Sequence, residues 1–183
     1  SLDSFFKNKL VSSNFEIITK SILLKDFVKF IRSITFKPEL LILETIIKDG
    51  YLSIDLNLNL DQNGKIKNDY EVKGILNDGK IKFLKNIDFE KINFFFNIKE
   101  KNYLFKDIKF STDKANFYSD ILKITKLKNS HQIEGKIENS KSIVPETLTK
   151  VLNFNLKNLD FKKNKFSSKN NFIFEIDRSF DIR

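Results

Sequence analysis

A chain of 183 residues, 40% of them apolar, is long enough for one domain with a sizeable core and too apolar to be disordered. Cysteine is absent, which excludes a disulfide framework and thiolate metal sites, and no window approaches the roughly 18 apolar residues a spanning helix needs. A formal charge of +9 admits an anionic partner, yet Phe, Lys, Asn and Ile are the residues of A+T-rich codons, so a lysine-rich solvated surface accounts for it more simply.

KDFVKFIRSI (Lys25 to Ile34) places Phe27, Phe30, Ile31 and Ile34 at 3-4 spacing and predicts a short amphipathic helix. KPELLILETIIKDG (Lys37 to Gly50) is ambiguous. Pro-Glu suits a helix start, while the β-branched residues and the Asp-Gly end suit a strand, which is the reading adopted. GYLSIDLNLNL then changes polarity at every residue. Leu52, Ile54, Leu56, Leu58 and Leu60 fall on one face of a strand, with Ser53, Asp55, Asn57 and Asn59 on the other. Asp61 to Gly64 supplies a turn, and the chain returns through Ile66, Tyr70 and Val72 to Gly74. Asn77-Asp78-Gly79 reads as the next turn, followed by a short strand KIKF.

INFFFNIK (Ile92 to Lys99) alternates again, with Ile92, Phe94, Phe96 and Ile98 together. Tyr103 to Ser111, Asn116 to Ile124 and His131 to Asn139 continue the series, and FNLKNLDF and NNFIFEID add two more strands. Pro145 to Asn153 predicts a second short helix, with Leu148, Val151 and Leu152 as its stripe. Many short strands at roughly 10- to 15-residue spacing argue for an all-β meander. Weak repetition accompanies them: DGYLSI and DGKIKF share a strand start, and KGILN and EGKIEN share a Gly-x-[Leu/Ile] ending, so that 49–77 and 78–139 read as related units of one segment.

Equipment for catalysis is missing from this pattern. There is one histidine, His131, in a strand-like run, no nucleophile elbow and no glycine-rich phosphate loop, so no enzyme and no cofactor are expected. Asp55-x-Asn57-x-Asn59 echoes a calcium loop but has Leu60 where that loop needs Gly. Nucleic acid is not expected either, because the face holding Phe94 and Phe96 contains no Lys; LKNLDFKKNKFSSKNN is the stretch that comes nearest.

The order of these pieces resembles the AsmA-like superfamily of Gram-negative envelope proteins. Carrying the resemblance are the recurrent D-G-x-[Leu/Ile] strand starts, the G-x-[Leu/Ile]-x-[Asp/Asn] strand ends and the FKDIKFS strand after a phenylalanine-rich one, over roughly residues 15 to 140. The resemblance implies an extended, twisted antiparallel meander curled into an open hydrophobic groove. It implies too a periplasmic location, an inner-membrane anchor outside this chain, and transfer of phospholipid between the bacterial envelope membranes, with an outer-membrane protein as a further partner. Its groove would be floored by Leu52, Ile54, Leu56, Leu58 and Leu60, by Tyr70, Val72, Ile81 and Phe83, by Ile92, Phe94, Phe96 and Ile98, and by Ile108, Phe110, Ile133 and Ile137. The chain has no Met, begins SLDSFF and stops at FDIR, and reads as a segment of something longer. Periodicity alone favours a closed sandwich or barrel core over a groove, and the resemblance reverses that preference. A closed-core envelope assembly factor offering sheet edges to clients, and a surface β-repeat protein, therefore stay open as alternatives.

Overall fold

A computed structural model describes residues 13–34, 38–61, 67, 69–83, 87–100, 102–112, 115–143 and 165–177. They form one open antiparallel sheet of nine strands and two short helices. Strand β1 (Ser13–Ile18) and the two-residue β2 (Ile22–Leu23) both pair with β3 (Ile47–Leu60). Thr19 bridges the gap between β1 and β2, its backbone N–H donating to the Ile54 carbonyl at 2.8 Å and its hydroxyl accepting from the Ile54 N–H at 2.9 Å. From β3 the sheet runs as a meander through β4 (Glu71–Phe83), β5 (Ile87–Lys99), β6 (Asn102–Thr112), β7 (Ala115–Lys126), β8 (Ser130–Ile143) and β9 (Lys165–Asp177). Its path ends at β1 and β9, which do not pair with each other, so the sheet is not a barrel.

Helix α1 (Leu24–Ile34) forms where 3-4 spacing predicts it. Leu24 and Phe27 pack on the sheet's buried cluster and Val28 is buried too, whereas Phe30 is exposed. The segment after it differs from the strand expected of Lys37 to Gly50. Pro38–Ile46 is a second helix, α2, and the strand starts only at Ile47. Pro38 at the first helical position needs no N–H partner and has its φ already set. The α2 helix is then tied down by a salt bridge of 2.8 Å from Arg32 to Glu44, and Thr45 donates its hydroxyl to the Leu41 carbonyl one turn back.

Asn77-Asp78-Gly79 is likewise no turn. Strand β4 runs straight through it, and Asp78, at φ 49°, sits in a bulge. Positive φ serves a turn and a bulge alike, so these residues mark an irregularity without fixing its kind. Similar positive-φ residues interrupt β5 at Lys91, β6 at Asp107 and β8 at Lys141. Register shifts break the β3/β4, β4/β5, β5/β6, β7/β8 and β8/β9 ladders. A line of bulges thus crosses the sheet, and each bulge bends its strand and raises the local twist. The two Asp-Gly repeats meet on this line, where a Cβ on Gly50 would stand 3.0 Å from the Gly79 Cα.

The core is small. Leu52, Ile54, Leu76 and Ile92 form the buried cluster, with Leu24, Phe27 and Ile22 packed on it. Both helices lie over the β2–β4 end of the sheet. The helix expected at Pro145 to Asn153, the strand expected at FNLKNLDF, the turn expected after Asp61 and the returning Ile66 lie outside the described residues.

Candidate functional site

Antiparallel partners that stand directly opposite project to the same face, so the register identifies what each face carries. One row reads Ile17, Leu56, Val72, Ile98, Tyr103, Ile124, Ile133 and Phe174, crossing eight strands with no charged member. The adjacent row reads Ile54, Gly74, Phe96, Phe105, Leu122, Gly135 and Phe172. Seven interstrand steps of about 4.8 Å make this apolar band about 34 Å long. Beyond the bulge line it continues through Ile81, Phe89, Phe110 and Phe117.

Aromatic contacts stiffen the band. Phe94 meets Phe105 edge-on at 5.5 Å between ring centres, Phe89 meets Phe110 at 5.7 Å, and Phe110 stacks on Phe117 at 5.0 Å. The two glycines of the second row each lie beneath a cross-strand phenylalanine. A Cβ on Gly74 would fall 2.4 Å from the Phe96 ring, and one on Gly135 would fall 3.0 Å from the Phe172 ring. The shared Gly-x-[Leu/Ile] ending of KGILN and EGKIEN therefore repeats one packing device, a cross-strand phenylalanine ring set close against a glycine.

The sequence-predicted residues come together on this face. Leu52, Ile54 and Ile92 are buried in the cluster, and Leu56, Val72, Ile81, Phe94, Phe96 and Phe110 pack half-buried against it. Leu58, Leu60, Ile98, Ile108, Ile133 and Ile137 are half-buried, and Tyr70 stands just before β4, donating its hydroxyl to the Glu100 carbonyl at 3.3 Å. The side chain of Phe83 lies outside the described residues. Sequence reasoning missed Phe89, Tyr103, Phe105, Phe117, Leu122, Ile124, Phe166, Phe172, Phe174 and Ile176. Parity explains most of these omissions, because in β6 the apolar face holds Tyr103 and Phe105 before Asp107 but Ile108 and Phe110 after it.

The face is apolar but thinly covered. Among the described residues no large side chain is fully buried, and the helices do not pack on the β6–β9 half of the band. A folded sheet ordinarily hides such a face against a second layer. Here half of it has none among the described residues, so Ile124, Ile133, Phe172 and Phe174 remain half-buried.

The opposite face is a lattice of amides and ion pairs. Asn14 donates to Asn57 at 2.8 Å and to Asn59 at 3.1 Å, which occupies the asparagines of the calcium-like pattern in cross-strand bonding. Lys80 pairs with Glu90, Lys123 with Glu134, and Lys136 with Glu138 and Asp120. Lys80 holds the Glu90 carboxyl below the usual range, and hydrogen bonds from Lys73 and Asn97 do the same for Glu71. The Tyr118 hydroxyl, between Asp120 and Asp107, is pushed up to about 12, and Glu138 raises Lys136 to about 12. This face is less uniformly polar than alternation implies. Ile18, Ile75, Phe95 and Leu104 line a depression of about 430 Å³ there, but Lys73, Asn97 and Lys106 interrupt them, so no apolar row runs across it. Among the described residues no group of three His, Asp or Glu side chains is placed to hold a metal ion. His131 stands in β8 opposite Lys126 and Ile176. No helix of the described residues is long and apolar enough to cross a membrane. Comparison with protein-family models, with curated proteins and with solved structures finds no match to this chain.

Proposed function

We propose that this chain is a non-enzymatic, lipid-carrying segment of an AsmA-like envelope protein, working in the periplasm and holding phospholipid acyl chains against its apolar face. The observation that carries this reading is the pair of apolar rows that run unbroken across the sheet while half of their length has no second layer among the described residues. An acyl chain lying along the band supplies the missing layer. Ten methylenes covered on one side, at about half of 0.8 kcal/mol each, contribute about 4 kcal/mol before the cost of immobilisation. That is enough to hold a tail and too little to trap it. Nothing on the band singles out one position, so a tail can slide from row to row; the headgroup stays in water at the sheet margin.

The closed-core alternative needs a sheet that joins its ends or stacks on a second sheet, and this one does neither among the described residues. An assembly factor that offers β1 or β9 to a client would carry no lipid. The two readings are separated by extracting the protein from a bacterial envelope and analysing the extract by mass spectrometry. Phospholipid in a fixed ratio to protein is expected, and a preparation free of lipid would favour the client-binding reading.

A further inference from the structure

Strand β9 ends the sheet with one long side unpaired. Among the described residues it pairs only with β8, from Ser130↔Asp177 to Ile143↔Lys165. An open edge presents a row of backbone N–H and C=O groups that can template another strand, and proteins ordinarily blunt it with a short strand, a bulge or a proline. The opposite edge follows that rule, since β1 has 6 residues. Strand β9 does not. It has 13 residues, no proline and no positive φ, whereas β4, β5, β6 and β8 are each interrupted at a positive-φ residue. Ile173 stands on its polar face, 64% exposed.

The charges of β9 select the strand that fits it. Lys165 and Lys169 occupy its first half, Glu175 and Asp177 its second, all on the face that carries Ile173. Parallel to itself, β9 would set lysine against lysine. Antiparallel to itself, it sets lysine against carboxylate, and opposite charges on facing strands attract where like charges repel. Contacts within the chain leave Lys169 and Glu175 room for this. Lys169 touches Glu138 at 3.3 Å yet keeps 66% of its side chain exposed, and Glu175 accepts from the Ser130 hydroxyl through one of its two oxygens. A strand that complements itself in the antiparallel sense suits a two-fold axis, and a two-fold pair closes. Strand β9 on β1 of a next copy would match 13 residues to 6 and grow into a filament.

We propose that β9 is a dimer edge, pairing antiparallel with β9 of a second copy about a two-fold at Asn171. That register is the one that overlaps the whole strand, Lys165–Asp177. It sets Lys165 opposite Asp177, Ser167 opposite Glu175, and Ile173 opposite Lys169, whose alkyl stem covers it. On the other face Phe166 meets Ile176. A two-fold normal to the sheet keeps both apolar faces on one side, so the bands of the two copies adjoin. The inference goes beyond the lipid-carrying reading and does not depend on it, because its contacts are made along the edge.

Sedimentation equilibrium of the 183-residue chain is expected to show monomer and dimer in exchange. Ile173→Lys sets lysine against Lys169 at two symmetric places and is expected to weaken the dimer by about tenfold or more. Ile173→Glu faces the same Lys169 and is expected to keep or tighten it. Position 173 is exposed, so both variants should melt like the parent. The chain has no cysteine, so Asn171→Cys meets only its own copy at the two-fold. Under mild oxidation it is expected to form a disulfide dimer at least about tenfold faster than Ser167→Cys, which faces Glu175. A chain that stays monomeric at every concentration overturns the proposal. So does a dimer that Ile173→Lys and Ile173→Glu weaken alike, or Asn171→Cys cross-linking no faster than Ser167→Cys.

Discussion

Placing Asp at Ile124 or Ile133 is expected to abolish lipid binding while leaving the protein folded. Both residues belong to the row that crosses eight strands, both are half-buried, and neither packs on the buried cluster. A carboxylate there puts a charge on the surface an acyl chain must cover. Desolvating it without a partner costs at least several kcal/mol, more than the gross contribution of one-sided tail contact. In the lipid-free protein the same carboxylate stays hydrated, so the thermal midpoint should move by only a few degrees. Leu56 and Phe94 are poorer positions for this test. Both pack on Leu52, Ile54, Leu76 and Ile92, and Phe94 also meets Phe105, so a charge at either confuses folding with binding. Lipid extraction with mass spectrometry reads the first effect and circular dichroism the second. Bound lipid retained by both variants would remove the row from the binding surface.

Gly74→Ala is the substitution expected to damage the fold most for its size. A Cβ at position 74 would lie 2.4 Å from the Ser53 carbonyl oxygen and 2.4 Å from the Phe96 ring. The ring can rotate, but the Ser53 carbonyl belongs to the backbone of β3 and moves only if the strand moves. About 3 kcal/mol of destabilisation follows from forcing that shift, or a fall of about 6–12 °C in Tm for a chain of this size. Gly135→Ala supplies the internal control. There the nearest atoms stand at 3.0 Å on the Phe172 ring and 3.1 Å on the Ile121 carbonyl, so a smaller loss is expected. Differential scanning calorimetry of the two variants measures the difference, and equal losses would deny that the Ser53 carbonyl crowds position 74 more than the Ile121 carbonyl crowds position 135.

These two experiments bear on what was legible in the sequence. The Leu52 to Leu60 run was readable because β3 keeps a single parity from end to end of that stretch, and local alternation then reports the face. Asp78-Gly79 was misread as a turn because the backbone requirement it signals is shared with a bulge. Where a strand carries a bulge, parity flips in mid-strand, and a pattern that is regular in space becomes irregular in sequence. Phe105 and Phe110 lie on one face for that reason, although their spacing is odd. PELLILETI was misread as a strand because its apolar residues show neither period; the pattern suits a helix exposed on several sides. Which strand lies beside which, and therefore the continuity of the two rows, is decided by hairpin pairing and appears only in the register.

Accessibility of the apolar face tests the central claim most directly. The chain has no cysteine, so Ile133→Cys or Phe105→Cys introduces a single thiol into the band. In the native, lipid-free protein each thiol is expected to react with a maleimide at a rate within about tenfold of a thiol in an unfolded chain, as a half-buried side chain allows, and to become protected when phospholipid is added. Thiols that stay inert until the protein is denatured, with or without lipid, would mean that a second layer closes the band and that this face is an ordinary core.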